Sequence, residues 1–165
     1  MTTADGPPIR PGRPEEFGRL RQIELASDEL YATVGFGPFA NDDAENHLDG
    51  AAAVLVAGDP PVGFALVEVL DGEALLWQLS VLPSAGRRGI GGALLAAVDD
   101  WAAGAGFTSV VLTTFRDVPF NAPFYARHGF EIVDDLSPGL AAVRAHERAI
   151  GDDALGPRVA MRKRL

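Results

Sequence analysis

The segment that most constrains the fold is residues 73–115, EALLWQLSVLPSAGRRGIGGALLAAVDDWAAGAGFTSVVLTTF. The apolar run EALLWQLSVLP ends at Pro83, which has no N–H to donate to a ladder. After a glycine-rich turn, Ile90, Leu94, Val98 and Trp101 share one helical face with Leu95 beside it, and Asp99 and Asp100 fall on the other side. Gly104 and Gly106 close that helix, and SVVLTTF is a β-branched run suited to a buried strand. Strand, turn, helix and strand in this order form a βαβ unit, which requires two parallel strands.

The flanking sequence reads differently. AAVLVAG and VGFALVEVL are separated by the turn signal DPP, and the Asp71-Gly72 pair then marks a two-residue hairpin. An antiparallel meander is expected over roughly residues 53 to 82. Upstream, IRPGRPEEF is a short edge strand running into a helix whose first turn holds Pro14, Glu15 and Glu16. Phe17, Leu20, Ile23 and Leu25 follow helical spacing to about Ala26. The following stretch, broken by Gly35, Gly37 and Pro38, is expected to be a mobile connection with a short helix near Asp43 to Leu48. Downstream, Asn121 is placed to cap a short helix containing Phe124 and Tyr125, which Gly129 ends. FEIVDDL resumes strand, Ser137-Pro138 opens a helix to about residue 150, and PRVAMRKRL is expected to be a last edge strand. The expectation is one α+β domain over residues 1–165, with residues 1–8 disordered. Its central sheet is mixed but mostly antiparallel, of about six to seven strands, flanked by helices.

The turn GRRGIGG carries four glycines, and each costs roughly 1 kcal/mol relative to alanine inside a helix. A tight packing contact, an anion site or a merely flexible turn are the available reasons. The first amides of a helix have no intrahelical acceptor and the dipole is positive there. Glycines let an anion approach those amides, and Arg87 and Arg88 add two formal charges, so the segment reads as a phosphate or pyrophosphate site. A Walker A loop needs Lys-Ser/Thr after its last glycine, where Ala93-Leu94 stands. A dinucleotide fingerprint needs a third glycine at Leu94 and an acid on the following strand, and both are missing.

The chain carries 14 Lys and Arg against 23 Asp and Glu, a net charge of −9, which disfavours non-specific nucleic-acid binding. It has no cysteine, so disulfides and thiolate metal sites are excluded, and His47, His128 and His146 lack metal-ligand spacing. MTTADGPP has neither the basic nor the apolar region of a signal peptide, and no apolar run approaches the roughly 20 residues of a membrane span. The expectation is a cytoplasmic protein without a metal and without nucleic-acid or membrane partners.

LSVLPSAGRRGIGGALL resembles motif A of the GNAT superfamily of acyl-CoA-dependent N-acetyltransferases: Leu-x-Val-x-Pro, then Arg/Gln-x-x-Gly-x-Gly/Ala, then a helix. NAPFYARHGF resembles the family's second signature, a tyrosine four residues before Gly-Phe, and the order of elements fits that fold over nearly the whole chain. The resemblance implies that the amides of Arg87, Arg88, Gly89, Ile90, Gly91 and Gly92 hold the pyrophosphate of acetyl-CoA, the co-substrate. It implies that Leu79, Ser80 and Val81 pair with pantetheine where two parallel strands splay, and that the Leu79 N–H polarises the thioester carbonyl. Tyr125 matches the tyrosine that protonates the departing thiolate, and Asn121 is a candidate pantetheine contact as well as a cap. The pattern departs in three places. Gly86 stands where Arg or Gln is usual, LLWQLSV lacks the glutamate often found there, and a helix near residues 138 to 150 replaces a short turn.

The reaction expected from the resemblance is direct attack of a primary amine, first a small molecule and then a peptide or protein amine, in a ternary complex. A non-catalytic acyl-CoA sensor is the alternative reading. Candidate bases are Glu24, Asp28, Glu68, Asp117, His47 and water. Glu24 and Asp28 stand one helical turn apart and Arg116 lies at the end of a central strand, which makes these three the candidate substrate residues. A monomer or homodimer is compatible with the sequence.

Overall fold

The computed structural model describes residues 6–37 and 44–165. The chain runs through β1 (Ile9–Pro11), α1 (Phe17–Ala32), α2 (Ala44–Gly50), β2 (Ala53–Ala57), β3 (Gly63–Leu70) and β4 (Glu73–Val81). It continues through α3 (Ile90–Gly104), β5 (Ser109–Phe115), α4 (Ala122–Arg127), β6 (Glu131–Val133), α5 (Pro138–Ala149), α6 (Asp152–Leu155) and β7 (Arg158–Arg164). The strands form one seven-stranded sheet in the order β1-β2-β3-β4-β5-β7-β6. Among the described residues only β4 and β5 pair in parallel, as the βαβ reading requires. Asp71 and Gly72 both take left-handed φ, 51° and 77°, the geometry of a two-residue hairpin turn.

Helices cover both faces. Ala65, Val67, Ala74, Leu76, Val110 and Leu112 pack against Ile90, Leu94 and Val98 of α3. On the opposite face Val56, Phe64 and Leu66 meet Leu20 and Ile23 of α1 and Leu48 of α2. Leu75, Val111 and Ala160 meet Leu140 of α5 on that same side, with Trp77 bridging the two clusters. Burying one such side chain is worth about 1.5–3 kcal/mol, and the alternation of faces along each strand follows from it.

Several expectations change. Helix α1 does not stop near Ala26 but continues to Ala32, because SDELYA contains no breaker and the first left-handed glycine is Gly35. Leu25 points away from the sheet and is 48 % exposed, so it is not a core residue. Strand β7 is interior, pairing β5 over seven residues and β6 over three, and β6 is the edge. Residues 1–5 and 38–43 lie outside the described residues, and with them Asp43, the expected start of the short helix. Pro8 was expected to be disordered, yet its carbonyl accepts the Gly58 N–H at 2.9 Å.

A bulge in β4 shapes the centre of the sheet. Leu66 faces Gln78 but Val67 faces Leu76, so Trp77 is an extra residue. The extra residue reverses the alternation. Leu75 and Trp77 pack with the α1 and α5 face, whereas Leu79 and Val81 pack with the α3 face.

Candidate functional site

Strands β4 and β5 are in register only at Ala74–Val110 and Leu75–Val111. Beyond Leu75, β4 has no strand partner on its β5 side among the described residues, and Leu79, Ser80 and Val81 lie along this open stretch. Such a stretch presents peptide groups that an extended ligand can pair with, as an added strand does. Ser80 itself is buried, and its hydroxyl accepts from Gln78 Nε2 at 2.8 Å.

The glycine-rich turn closes the same end of the gap. Ala93 N–H makes the first bond of α3, to the Gly89 carbonyl at 3.0 Å. Among the described residues no backbone carbonyl accepts the amides of Arg87, Gly89, Ile90, Gly91 or Gly92. Arg87, a non-glycine residue, is held at φ 61° and Gly89 at 74°. Left-handed residues beside a helix start turn successive N–H groups into one concavity, an anion-binding nest. A left-handed arginine carries a local strain of roughly 1–3 kcal/mol that its surroundings must offset. Both arginines are exposed.

The glycines divide by task. A Cβ on Gly91 would lie 3.2 Å from the Phe124 ring and one on Gly92 would lie 2.9 Å from His128 Cε1, whereas one on Gly89 would meet nothing within 4 Å. Gly91 and Gly92 therefore admit Phe124 of α4 and His128, the residue after that helix, against α3. Tight packing and an open anion cradle coexist within one turn.

Helix α4 carries Tyr125 beside Phe124 and Phe130, with ring centroids 5.4 and 5.7 Å away. Burial pushes the Tyr125 phenol well above its ordinary pKa, an effect that nearby Tyr31 reinforces and Arg158 opposes. Its N–H donates to the Asn121 carbonyl at 3.0 Å. Asn121 occupies the position before α4, but its side chain does not cap the helix as expected. Instead Asn121 Oδ1 accepts from Phe115 N–H at 3.4 Å, and its Nδ2 donates to the Tyr31 hydroxyl at 3.0 Å. The competing partners are tertiary, and they tie α1, β5 and α4 together.

On the α1 side Asp28 is pushed up to about 6, chiefly by burial and then by Glu24. Glu24 forms an ion pair with Arg21 at 3.3 Å. Arg116 pairs with its neighbour Asp117 at 2.9 Å, and both are exposed. Sequence reasoning missed Tyr31 because α1 was ended too early, although the unbroken helical run up to Gly35 carried the signal. It also missed a buried network. Arg144 bonds Glu147 and Asp153, and Glu147 in turn accepts from Arg158 and Thr113, all within 2.7–3.0 Å. The Arg158 guanidinium lies 4.5 Å from the Phe115 ring centre. Only the Arg144–Glu147 pair has local helical spacing, and the other partners come from α6, β7 and β5. Among the described residues no group of three or more His, Cys, Asp or Glu is placed to hold a metal ion, and no helix is long and apolar enough to cross a membrane.

A split parallel pair with an amide-rich helix start at its mouth defines an acyl-coenzyme A transferase architecture, and the comparisons agree. Residues 18–130 match the family model described as Acetyltransferase (GNAT) family, and the chain belongs to that family. It is thus an acetyl-CoA-dependent acyltransferase, with acetyl-CoA as co-substrate. It is 29 % identical over 117 residues to the uncharacterized N-acetyltransferase YjcF of Bacillus subtilis (strain 168), covering 71 % of this chain and 81 % of that one. Among solved structures, a GNAT family acetyltransferase from Brucella melitensis in complex with acetyl-CoA superposes with TM-score 0.60 at 25 % identity, covering 80 % of this chain and 92 % of that one. N-acetylglutamate synthase from Neisseria gonorrhoeae, complexed with coenzyme A and N-acetyl-glutamate, superposes with TM-score 0.70 at 20 % identity. That match covers 96 % of this chain, which spans only 35 % of the synthase.

Proposed function

We propose that the protein transfers the acetyl group of acetyl-CoA to the primary amine of a small molecule in the cytoplasm, by direct attack in a ternary complex. The observation that carries this reading is the meeting, at one gap in the sheet, of five amides without backbone acceptors and an unpaired stretch of β4. The nest from Arg87 to Gly92 takes the pyrophosphate, and Arg87 and Arg88 add charge beside it. Pantetheine follows Leu79, Ser80 and Val81 through the gap, with Asn121 at its far side. The thioester then lies between the two faces of the sheet. The Leu79 N–H stabilises the developing oxyanion, and Tyr125 donates its proton to the departing sulfur. Burial keeps the phenol protonated at neutral pH, so its proton is in place when the thiolate forms. The amine approaches from the side of α1, where Glu24 and Asp28 offer negative charge and Arg116 lines the end of β5.

Calorimetric titration of acetyl-CoA into wild type and Arg88→Glu tests this reading. Arg88 is exposed, so reversing its charge leaves packing intact and should weaken binding about tenfold or more, as expected for a charge-assisted phosphate contact. Gly91→Glu would not separate the causes, because its side chain also meets Phe124. Absence of acetyl-CoA binding by the wild type overturns the reading.

A further inference from the structure

Resting on that reading, we infer that His47, oriented by Glu68, is the base that deprotonates the acceptor amine. His47 Nδ1 lies 2.6 Å from Glu68 Oε1, and its ring stacks on Trp77 with centroids 4.1 Å apart and planes at 21°. With Glu68 ionised and the imidazole neutral, Nδ1–H donates to the carboxylate and Nε2 keeps its lone pair. The histidine and glutamate side chains are 30 % and 26 % exposed, so the pair is held yet reachable.

Its place in the fold connects the pair to the reaction. Glu68 is the cross-strand partner of Leu75, the last β4 residue in register with β5. Directly opposed residues of an antiparallel pair point to the same face with Cβ atoms roughly 5 Å apart. Trp77, on which His47 stacks, is the bulged residue just past the point where β4 and β5 part. The pair therefore stands on the α1 face over the closed end of the gap, where β4 and β5 part, and the nest lies at the open end. Strand β4 lacks a carboxylate from Ala74 to Val81, and the neighbouring strand supplies Glu68 beside that segment.

In the transfer, an ammonium gives one proton to His47 Nε2, and the freed lone pair forms the N–C bond at the thioester carbonyl. The C–S bond breaks, and sulfur leaves as thiolate and takes the Tyr125 hydroxyl proton. The second proton lost by nitrogen restores Tyr125, and the imidazolium returns its proton to water. Ammonium and thioester become amide, thiol and one released proton. Glu68 acts through His47 and is a positioning residue.

The test measures thiol release from acetyl-CoA with two small nucleophiles, methylamine and hydroxylamine. Methylamine is protonated at neutral pH and needs a base, whereas hydroxylamine is already neutral. In His47→Gln the ratio of methylamine to hydroxylamine turnover should fall about 100-fold, the range of general-base catalysis. Added imidazole should restore methylamine turnover in His47→Ala, and Glu68→Gln, which still accepts from Nδ1, should retain more of it than Glu68→Ala. An unchanged ratio, a loss that imidazole does not restore, or a wild type that uses hydroxylamine or neither nucleophile while binding acetyl-CoA overturns the inference alone. A wild type that binds no acetyl-CoA by calorimetry overturns the parent reading as well.

Discussion

The two faces of the split sheet are built by different chemistry. On the α3 face the anion cradle is backbone: amides from Arg87 to Gly92, set by a left-handed arginine and a left-handed glycine within one short turn. On the α1 and α5 face it is side chain, namely Tyr31 on Asn121, His47 on Glu68, and Arg144 and Arg158 on Glu147. In the last group Arg144 and Glu147 share α5, and Arg158 reaches them from β7. A backbone site needs only local conformation, whereas a side-chain site needs the assembled fold. An anion cradle can therefore stay the same while the opposite face is rebuilt for a different acceptor.

The sharpest way to break this contrast is Arg144→Met. The Arg144 side chain is 6 % exposed and neutralises Glu147 and Asp153, so its loss should cost about 3–5 kcal/mol in denaturant unfolding. If the faces are independent, acetyl-CoA affinity of the folded variant is unchanged, and a parallel fall in affinity would show them coupled. A smaller effect sharpens the α3 side. Gly92→Ala gains helix propensity but places a methyl 2.9 Å from His128 Cε1, and should cost about 1 kcal/mol. In a His128→Ala background the same change should become stabilising, which a double-mutant cycle reads directly. The smallest effect belongs to Asp28→Asn. Burial raises the folded carboxyl to about 6, so the fold disfavours its charge, fully above that pH. The variant should melt about 2 °C higher at pH 8, and this gain should vanish as pH falls from about 6 through the ordinary value of 3.8. A gain that persists in acid would show that burial of the charge is not its cause.

Legibility followed the same divide. The βαβ unit, the Asp71-Gly72 hairpin and the Ser137 cap, whose hydroxyl accepts the Leu140 N–H at 3.2 Å, were readable because neighbours in sequence determine each. The end of α1, the interior position of β7 and the true partners of Asn121 were not. Tyr31 and Phe115, which lie 90 and 6 positions away, win that amide from its helix. The pattern of PRVAMRKRL is compatible with an edge or an interior strand, because strand order depends on which ladder closes first in space.

By itself the sequence determined the class of the protein: a parallel pair joined through a glycine-rich helix start, and a second signature placing Tyr125 before Gly129-Phe130. Those features rest on φ preferences, helix-end amides and periodicities of two and 3.6, all of them short-range. Tertiary structure decided which glycines serve packing, that the bulge at Trp77 turns Leu79 toward α3, and that Glu68 meets His47. Each depends on a distance between residues far apart in the chain, and such distances are fixed only when the sheet is assembled and its helices pack upon it.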